Sequence, residues 1–338
     1  MVTRDVNFGI SLPNFVGNSY QPGPVEQYYP IEYAFPLNDS FSWDQLTTIS
    51  TSAERLGYSS LWASDHFMLG KANFEAWTTL TALAAITRRV KLGTFMSCDG
   101  YRNPAVVAKM AANLAIISSN RFLLGYGAGW YQPEFEAYGF QFPPLKERVS
   151  RMAEGLQIVR GMLGSPKFSF SGKHYVVKDA MNEPKPSARV PIFVGGGGKR
   201  TLRAAARFAD GWDVGPDVKP ARYASLVDYL KVEMKRQGRK WDEITRSMHF
   251  RVLLGRDEDE LREKKRIVTN AVRDVDLSKA SKSGPGDFNI EDTLIGTPSV
   301  IREKVRRYAD LGCNQIVLVF MDYPRYDSPA LFAETVMH

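Results

Sequence analysis

The stretch "PIFVGGGGKRTLRAAARFADGWD", from Pro191 to Asp213, contains one strand–helix–strand unit of an α/β fold. An apolar run leads into four consecutive glycines, a helical pattern follows them, and a second strand-like run begins at Gly211. Glycine loses more backbone freedom on folding than any other residue, so a run of four is costly to order. The run from Gly195 to Gly198 therefore indicates a place where a close approach to the main chain, without intervening side chains, is needed.

Eight short β-like runs occur along the chain, and most are followed by a helical pattern. Most are almost continuously apolar, as expected of strands that are buried on both faces of a parallel sheet. The runs cover residues 6–13, 59–66, 90–98, 121–129, 190–196, 211–216, 248–255 and 314–322. Eight β–α units in 338 residues predict a (β/α)8 TIM barrel, with a doubly wound sheet as the alternative.

Three helices between these strands have recognisable ends. Ser42 and Gln45 form a capping-box pattern, Asn103 caps a helix that begins at Pro104, and Thr297 precedes another at Pro298. In the second of these helices, one apolar stripe is predicted to face the barrel. It consists of Val106, Val107, Met110, Leu114 and Ile117.

The chain is longer than the roughly 250 residues of a bare barrel, and we interpret 1–338 as one domain with insertions. The surplus lies near 14–41, 164–189 and 256–296. Segment 164–189 is predicted to form a small hairpin. Segments 14–41 and 256–296 follow strands, on the face where barrel active sites lie, so they are either lids or structural padding.

Composition excludes several classes of function. The net charge of +7 indicates either a solvated basic surface or attraction for anionic ligands. No long Lys/Arg block is present, so nucleic-acid binding is not expected, and no apolar run is long enough for a membrane span. The two cysteines, Cys98 and Cys313, form no CxxC motif. The first residues lack the apolar core of a signal peptide, so we expect a cytoplasmic protein.

The four glycines do not match the usual nucleotide motifs. Gly198-Lys199 is followed by Arg200 instead of the Ser or Thr of a Walker A motif, and a dinucleotide fingerprint would need a further glycine. A strand, a glycine loop and a helix start remain, and such a helix start favours an anion. We interpret the loop as a phosphate site, with a tight strand-to-helix turn as the alternative.

Two other features point to the carboxyl ends of the strands. His66, in "SDHF", is a candidate for proton transfer, whereas His174 falls in an insertion, His249 early in a strand and His338 at the terminus. Gly125, Gly127 and Gly129 alternate before Trp130, which leaves room for a flat ring or relieves a crowded barrel interior. His66 beside Asp65 has too few ligands for a metal site, and no metal is expected.

Matching stretches across nearly the whole chain resemble the luciferase-like monooxygenase superfamily. They include "FGISLP", "LWASDHF", "LGTFMSCDGYRNPAVVAKMAANLAIISSNRFLLGYGAGWYQPEFEAYG", "LKERVSRMAEGLQIV", "PIFVGGGGKRTLRAAARFADGWD" and "GTPSVIREKVRRYADLGCNQIVL". The form "GAGWYQPEFEAYG" is most similar to the branch that uses the deazaflavin coenzyme F420. The resemblance implies an oxidoreductase that transfers hydride between coenzyme F420 and a small organic substrate.

The resemblance also implies roles for individual residues. His66 would be catalytic, Gly195–Gly198 would hold the cofactor phosphate, and a cis peptide near Phe95–Met96 would support the ring. Trp130 stands where sugar-phosphate and alcohol dehydrogenases of this type carry Glu, so their substrates are not carried over. The cofactor-binding residues that we expect are Asp65, Thr94, Phe95, Met96, Gly127, Gly129, Trp130, Gly195, Gly196, Gly197 and Gly198.

Other members of the superfamily leave alternatives open. An FMN-dependent monooxygenase that uses reduced flavin and oxygen would share the barrel and the phosphate loop. A non-catalytic flavin- or deazaflavin-binding protein and a pterin reductase are further possibilities. Members of the superfamily are commonly dimers, so a homo-oligomer is expected.

Overall fold

Eight parallel strands close into a barrel in the computed structural model of this chain, which describes residues 6–16, 42–68, 72–271, 293–323 and 327–337. Around the barrel the order is β1, β3, β5, β7, β10, β11, β12, β14 and back to β1. These strands are β1 (Asn7–Ser11), β3 (Ser60–Ala63), β5 (Lys91–Thr94), β7 (Phe122–Gly127), β10 (Ile192–Gly195), β11 (Gly211–Pro216), β12 (Thr245–Leu254) and β14 (Gln315–Phe320). All eight predicted strands are present. Closure through the β7–β10 and β14–β1 pairs confirms the barrel and excludes the doubly wound sheet.

Six further strands and ten α-helices belong to the part of the chain that the structure describes. The additional strands are β2 (Phe15–Val16), β4 (Ala72–Asn73), β6 (Ser97–Cys98), β8 (Lys167–Ser171), β9 (Val176–Met181) and β13 (Leu294–Gly296). The helices are α1 (Trp43–Arg55), α2 (Ala76–Ile86), α3 (Pro104–Ile117), α4 (Gln132–Ala137), α5 (Leu145–Gly164), α6 (Lys199–Phe208), α7 (Pro220–Arg236), α8 (Glu258–Ala271), α9 (Pro298–Asp310) and α10 (Asp327–Phe332).

Large side chains and glycines share the interior of the barrel. Trp62, Leu123, Phe193 and Val317 form a buried cluster there. A Cβ atom at Gly93 would lie 2.3 Å from the Trp62 ring, so the strand beside this indole must carry a glycine. Trp62 donates from Nε1 to Ser60 Oγ over 2.9 Å, which satisfies its polar atom. The cluster fills the interior of the barrel below the carboxyl ends of the strands, and Phe95 packs against it.

Two of the three predicted helix starts have side-chain caps, whereas Thr297 occupies the N-cap position of α9 but its side chain makes no capping hydrogen bond. Ser42 Oγ accepts from the backbone N–H of Gln45, and the Gln45 side chain accepts from that of Ser42, which completes the capping box of α1. Asn103 accepts from the N–H of Ala105 at the start of α3. These two helix starts could be predicted from the sequence because a side-chain cap depends on residues only two or three positions apart.

The predicted stripe on α3 is only half right. Val107 and Leu114 are buried, but Val106 and Ile117 are 52% and 51% exposed. The buried face is completed by alanines, namely Ala108, Ala111, Ala112 and Ala115. Because alanines let a helix approach its neighbours closely, α3 is rotated so that larger apolar side chains point outward.

The insertions are described to different extents. Segment 164–189 contains the antiparallel pair β8–β9, so the predicted hairpin is confirmed. Most of 14–41, and residues 272–292 of the segment 256–296, lie outside the described residues, so the lid prediction is not tested. Helix α8 and strand β13 belong to the described part of segment 256–296. None of the helices described here is both long and apolar enough to cross a membrane.

Candidate active site

The chain bulges at the carboxyl end of β5, between Thr94 and the short strand β6. The peptide bond between Phe95 and Met96 is cis, as the family resemblance implied. Both side chains are half-buried, and the Phe95 ring packs on Trp62 with the ring centroids 5.5 Å apart. We call Phe95 and Met96 the ring shelf, because this bulge is where the resemblance places the back face of the cofactor ring.

Glycines on neighbouring strands make room for the ring shelf. A Cβ atom at Gly125 would lie 2.0 Å from the Thr94 carbonyl oxygen, and one at Gly195 would lie 2.7 Å from Met96 Cγ. A Cβ atom at Gly127 would lie 3.1 Å from Met96 Cβ. At Gly125 the crowded interior, given above as the alternative, is therefore what the structure contains. A direct contact of Gly127 with a flat ring stays a prediction.

His66 lies at the carboxyl end of β3 and is held by a buried glutamate on α4. His66 Nδ1 is 2.8 Å from Glu134 Oε2. Glu134 has no exposed surface, and its other oxygen, Oε1, accepts from the backbone N–H groups of Phe67 and Met68. An ionised carboxylate can only accept, so Nδ1 carries the proton and Nε2 is the remaining polar atom of the ring.

The surroundings of Glu134 favour its ionised form. Burial alone raises the pKa of this carboxyl group, but hydrogen bonds from His66, from the Tyr101 hydroxyl and from the N–H of Met68 lower it more. The resulting pKa is below the ordinary value, so Glu134 is a carboxylate at neutral pH. Its negative charge and fixed position orient the imidazole ring.

Aromatic side chains surround His66. The Trp130 ring packs edge-on against the imidazole at 5.5 Å, and the Tyr131 ring lies at 6.1 Å. Trp130 is half-buried, so part of its indole remains accessible next to His66. The predicted pair His66 and Trp130 is thus brought together at one place, beside an apolar surface.

Two other predicted residues have their side chains engaged within the protein. The hydroxyl of Thr94, which is fully buried, donates to the Gly125 carbonyl over 2.8 Å. Asp65 Oδ2 accepts from Arg102 at 2.7 Å and from the N–H of Cys98 at 2.9 Å, while Oδ1 is buried without a partner among the described residues. Burial raises the pKa of Asp65 in spite of Arg102. These contacts hold the loop after β6 against the end of β3.

The glycine loop, residues Gly195–Gly198, leads into the start of α6. Gly198 is the N-cap residue and has no side chain to cap the helix. A Cβ atom built at Gly198 would meet only Thr201 Oγ1, at 3.7 Å, so the space above the backbone is open. Backbone N–H groups of an uncapped first turn, together with the helix dipole, suit an anion. The loop therefore fits the phosphate group that the resemblance assigns to it.

Sequence reasoning missed Glu134 and Tyr101, which contact each other and position His66. Glu134 belongs to the quoted motif "GAGWYQPEFEAYG", but nothing in a single sequence distinguishes it from the exposed Glu136 on the same helix. The prediction that His249 lies early in its strand was also wrong. Strand β12 begins at Thr245, so His249 lies midway along it.

Comparisons with known proteins identify a family and relatives of this chain. The family model described as luciferase-like monooxygenase matches residues 6–315. The chain is 27% identical over 306 residues to the F420-dependent glucose-6-phosphate dehydrogenase of Microbacterium testaceum (strain StLB037), covering 85% of this chain and 91% of that protein. It is also 27% identical over 325 residues to the F420-dependent hydroxymycolic acid dehydrogenase of Mycobacterium tuberculosis (strain ATCC 25618 / H37Rv), covering 92% and 88%.

A solved structure shows the same fold. Monooxygenase RslO1 from Streptomyces bottropensis superposes with a TM-score of 0.75 at 22% identity, covering 98% of this chain and 99% of that one.

Proposed function

This chain belongs to the luciferase-like monooxygenase family, and from that premise we propose that it is an oxidoreductase that transfers hydride between coenzyme F420 and a small organic substrate. The observation that carries the proposal is the combination at one barrel end of His66, the ring shelf and an open glycine loop. The curated relatives named above are F420-dependent dehydrogenases, which supports the deazaflavin as the cofactor.

The residues of this chain would hold the cofactor at two places. The glycine loop would bind its phosphate, with the nearby Lys199 and Arg200 adding positive charge. The ring shelf would support the ring from behind. When bound, a deazaflavin supplies hydride transfer at its C5 atom.

His66 would manage the proton that accompanies hydride transfer. Its Nδ1 is committed to Glu134, so Nε2 is the atom that can exchange a proton with a substrate oxygen. The buried carboxylate also fixes the ring, so that Nε2 is presented in one orientation. Glu134 acts through His66 and is a positioning residue.

The substrate would be an apolar alcohol or carbonyl compound without a phosphate group. Trp130 gives an aromatic wall next to His66. The guanidinium of Arg102, which lies 5.5 Å from the centre of the Phe67 ring, is already paired with Asp65 and Glu75, both at 2.7 Å. A sugar phosphate needs a free cation, whereas this surface favours burial of apolar groups.

A pair of titrations tests the cofactor assignment. Purified protein is titrated with coenzyme F420 and with FMN, and binding is followed by fluorescence. Micromolar or tighter binding of the deazaflavin alone is the expected result. Preference for FMN would reject the proposal and favour the alternative of a monooxygenase, for which oxygen uptake with reduced FMN is the next assay. Tight F420 binding without any substrate-dependent redox change would favour the non-catalytic alternative.

The outer face of α2 and α3 supports a homodimer as the working assembly. These helices, of 11 and 14 residues, contain a single charged residue, Lys109, and it is bonded to the Glu183 carbonyl. Ile86, Val106 and Ile117 are 44%, 52% and 51% exposed on them. Exposed apolar faces of this kind are typical of subunit interfaces, and a second copy of the same face would bury them.

A cytoplasmic location is part of the same proposal. Its support is that Cys98 and Cys313 are both buried and unpaired, as expected where thiols stay reduced.

A further inference from the structure

His249 lies inside the barrel, next to the ring shelf. Successive residues of a strand point to opposite faces, so His249 shares the inward face of β12 with Ser247 and Arg251. Its ring packs edge-on against Phe95, with the centroids 4.7 Å apart and an angle of 73°. The mechanism proposed above gives this histidine no role.

A buried aspartate on the neighbouring strand β11 fixes His249. Its Nδ1 is 2.8 Å from Asp213 Oδ1. The same carboxylate accepts from Ser247 Oγ over 2.8 Å and from the N–H of Gly215 over 3.0 Å. Asp213 is only 2% exposed, so this charge has little water and depends on these three donors.

The backbone of the same aspartate holds the glycine loop. Its carbonyl oxygen accepts from the N–H of Gly196 over 2.8 Å. The neighbouring Trp212 donates from Nε1 to the Gly196 carbonyl over 2.9 Å. Gly196 is therefore bonded to β11 through both its N–H and its carbonyl, and its N–H is bonded to Asp213, the residue whose carboxylate holds His249.

We propose that Asp213 and His249 form a positioning pair that couples anion binding in the glycine loop to the placement of the ring shelf. The connection runs from Gly196 through Asp213 and His249 to Phe95. These groups are closely packed, so a shift of the loop on binding an anion moves the imidazole and the ring that it touches. The inference rests on the proposed function, because it takes the ring and the phosphate to occupy these two places.

A two-ligand experiment measures this coupling. The probes are the phosphate-free riboside of the deazaflavin and inorganic phosphate, which can occupy the two places independently. The affinity of the riboside is measured by fluorescence with and without saturating phosphate. In the wild-type protein we expect phosphate to tighten riboside binding about fivefold or more, the lower end of usual coupling strengths.

Two complementary variants separate the links of the pair. His249→Phe keeps a ring against Phe95 but loses the bond to Asp213, whereas His249→Asn keeps a donor near Asp213 but loses the ring. We call the affinity of the riboside with saturating phosphate, divided by its affinity without phosphate, the phosphate ratio. In both variants the phosphate ratio should fall toward one, while the affinity for phosphate alone stays within about twofold of wild type. A general loosening would weaken riboside binding under both conditions and leave the ratio unchanged.

His174→Phe, in the β8–β9 hairpin, is the matched control and should keep the wild-type ratio. Melting temperatures show whether each variant is folded. If His249→Phe does not fold, the phosphate ratio is measured in His249→Asn alone. If phosphate does not change the affinity of the wild-type protein for the riboside, or if the variants keep the wild-type phosphate ratio, the proposed positioning pair is wrong but the proposed function is not affected. Failure of the wild-type protein to bind F420 or the riboside would overturn the proposed function, and the pair with it.

Discussion

His66 Nδ1 lies 2.8 Å from Oε2 of Glu134, a carboxylate with no exposed surface. This one contact decides the tautomer of the histidine, its orientation and the charge beside it. Because the buried carboxylate holds Nδ1, it presents Nε2 in one orientation, which is what the proton transfer proposed above requires.

Replacing His66 with Ala should lower turnover much more than cofactor affinity. General acid–base catalysis contributes about 10²- to 10⁴-fold, and we expect a loss of kcat in this range with the F420 dissociation constant changed less than about threefold. Steady-state kinetics and a fluorescence titration give the two values. His174→Ala is the control, and an unchanged kcat in His66→Ala would remove the assigned role.

Glu134→Gln should lose stability in a pH-dependent way. The folded protein holds the pKa of Glu134 below its ordinary value of 4.5, so this group stabilises the fold above that pH and stops doing so as the pH falls through its folded pKa. The melting temperature of the variant should be lower than that of the wild type at pH 7 and should approach it as the pH falls below 4.5 and through the folded pKa of Glu134. Glu136→Gln on the same helix is the control. A constant gap between wild type and Glu134→Gln across this range would contradict the assignment.

Asp99→Asn should show the opposite trend. Burial raises the pKa of Asp99 to about 6, although the hydroxyls of Tyr126 and Tyr175 donate to it. A raised carboxyl pKa means that its stabilisation is complete below about 3.8 and is lost as the pH rises through about 6.

The variant, which is always neutral, should therefore gain stability relative to wild type as the pH rises from about 4 through about 6, as measured by melting temperature. Asp228→Asn, on the exposed face of α7, should show no such trend.

Gly198→Asp should separate helix capping from phosphate binding. The backbone of Gly198 is extended, with φ −79°, so an aspartate fits and caps α6, which stabilises the helix by a few tenths of a kcal/mol. Its charge should repel the cofactor phosphate and weaken F420 binding about tenfold or more, while leaving the phosphate-free riboside unaffected. Gly198→Asn is the control, because asparagine caps the helix without adding charge. The difference in F420 affinity between the two variants then measures the electrostatic repulsion of the phosphate. Equal weakening of F420 and riboside would argue against a phosphate in the loop.

Ile117→Lys should separate the proposed dimer into monomers. A two-fold interface repeats each residue, so the substitution would bury two lysines in an apolar contact. Sedimentation or light scattering measures the mass in solution. Val232→Lys on α7, where Val232 is 50% exposed, is the control and should not change the mass. A wild-type protein that is monomeric at micromolar concentration would dismiss the proposal.

Eight strands, several helix ends and the preference for a barrel over a doubly wound sheet could be predicted from the amino-acid sequence alone. Apolar runs alternated with helical patterns, and caps such as Ser42 with Gln45 act over three residues, so both signals are local in the chain. The glycine loop and His66 were found for the same reason, because each lies where a strand ends. The cis bond at Phe95–Met96 followed from family resemblance.

Contacts between side chains that are far apart in the sequence became visible only in the folded chain. Glu134 reaches His66 across 68 positions of the chain, and Asp213 reaches His249 across 36. Such pairs depend on which strands become neighbours and on which face each residue occupies. The rotation of α3 was also decided there, because packing against neighbouring elements favoured small alanines over the larger apolar side chains. The pattern of a single chain predicts the elements, whereas burial and contact between elements select the residues that do the chemistry.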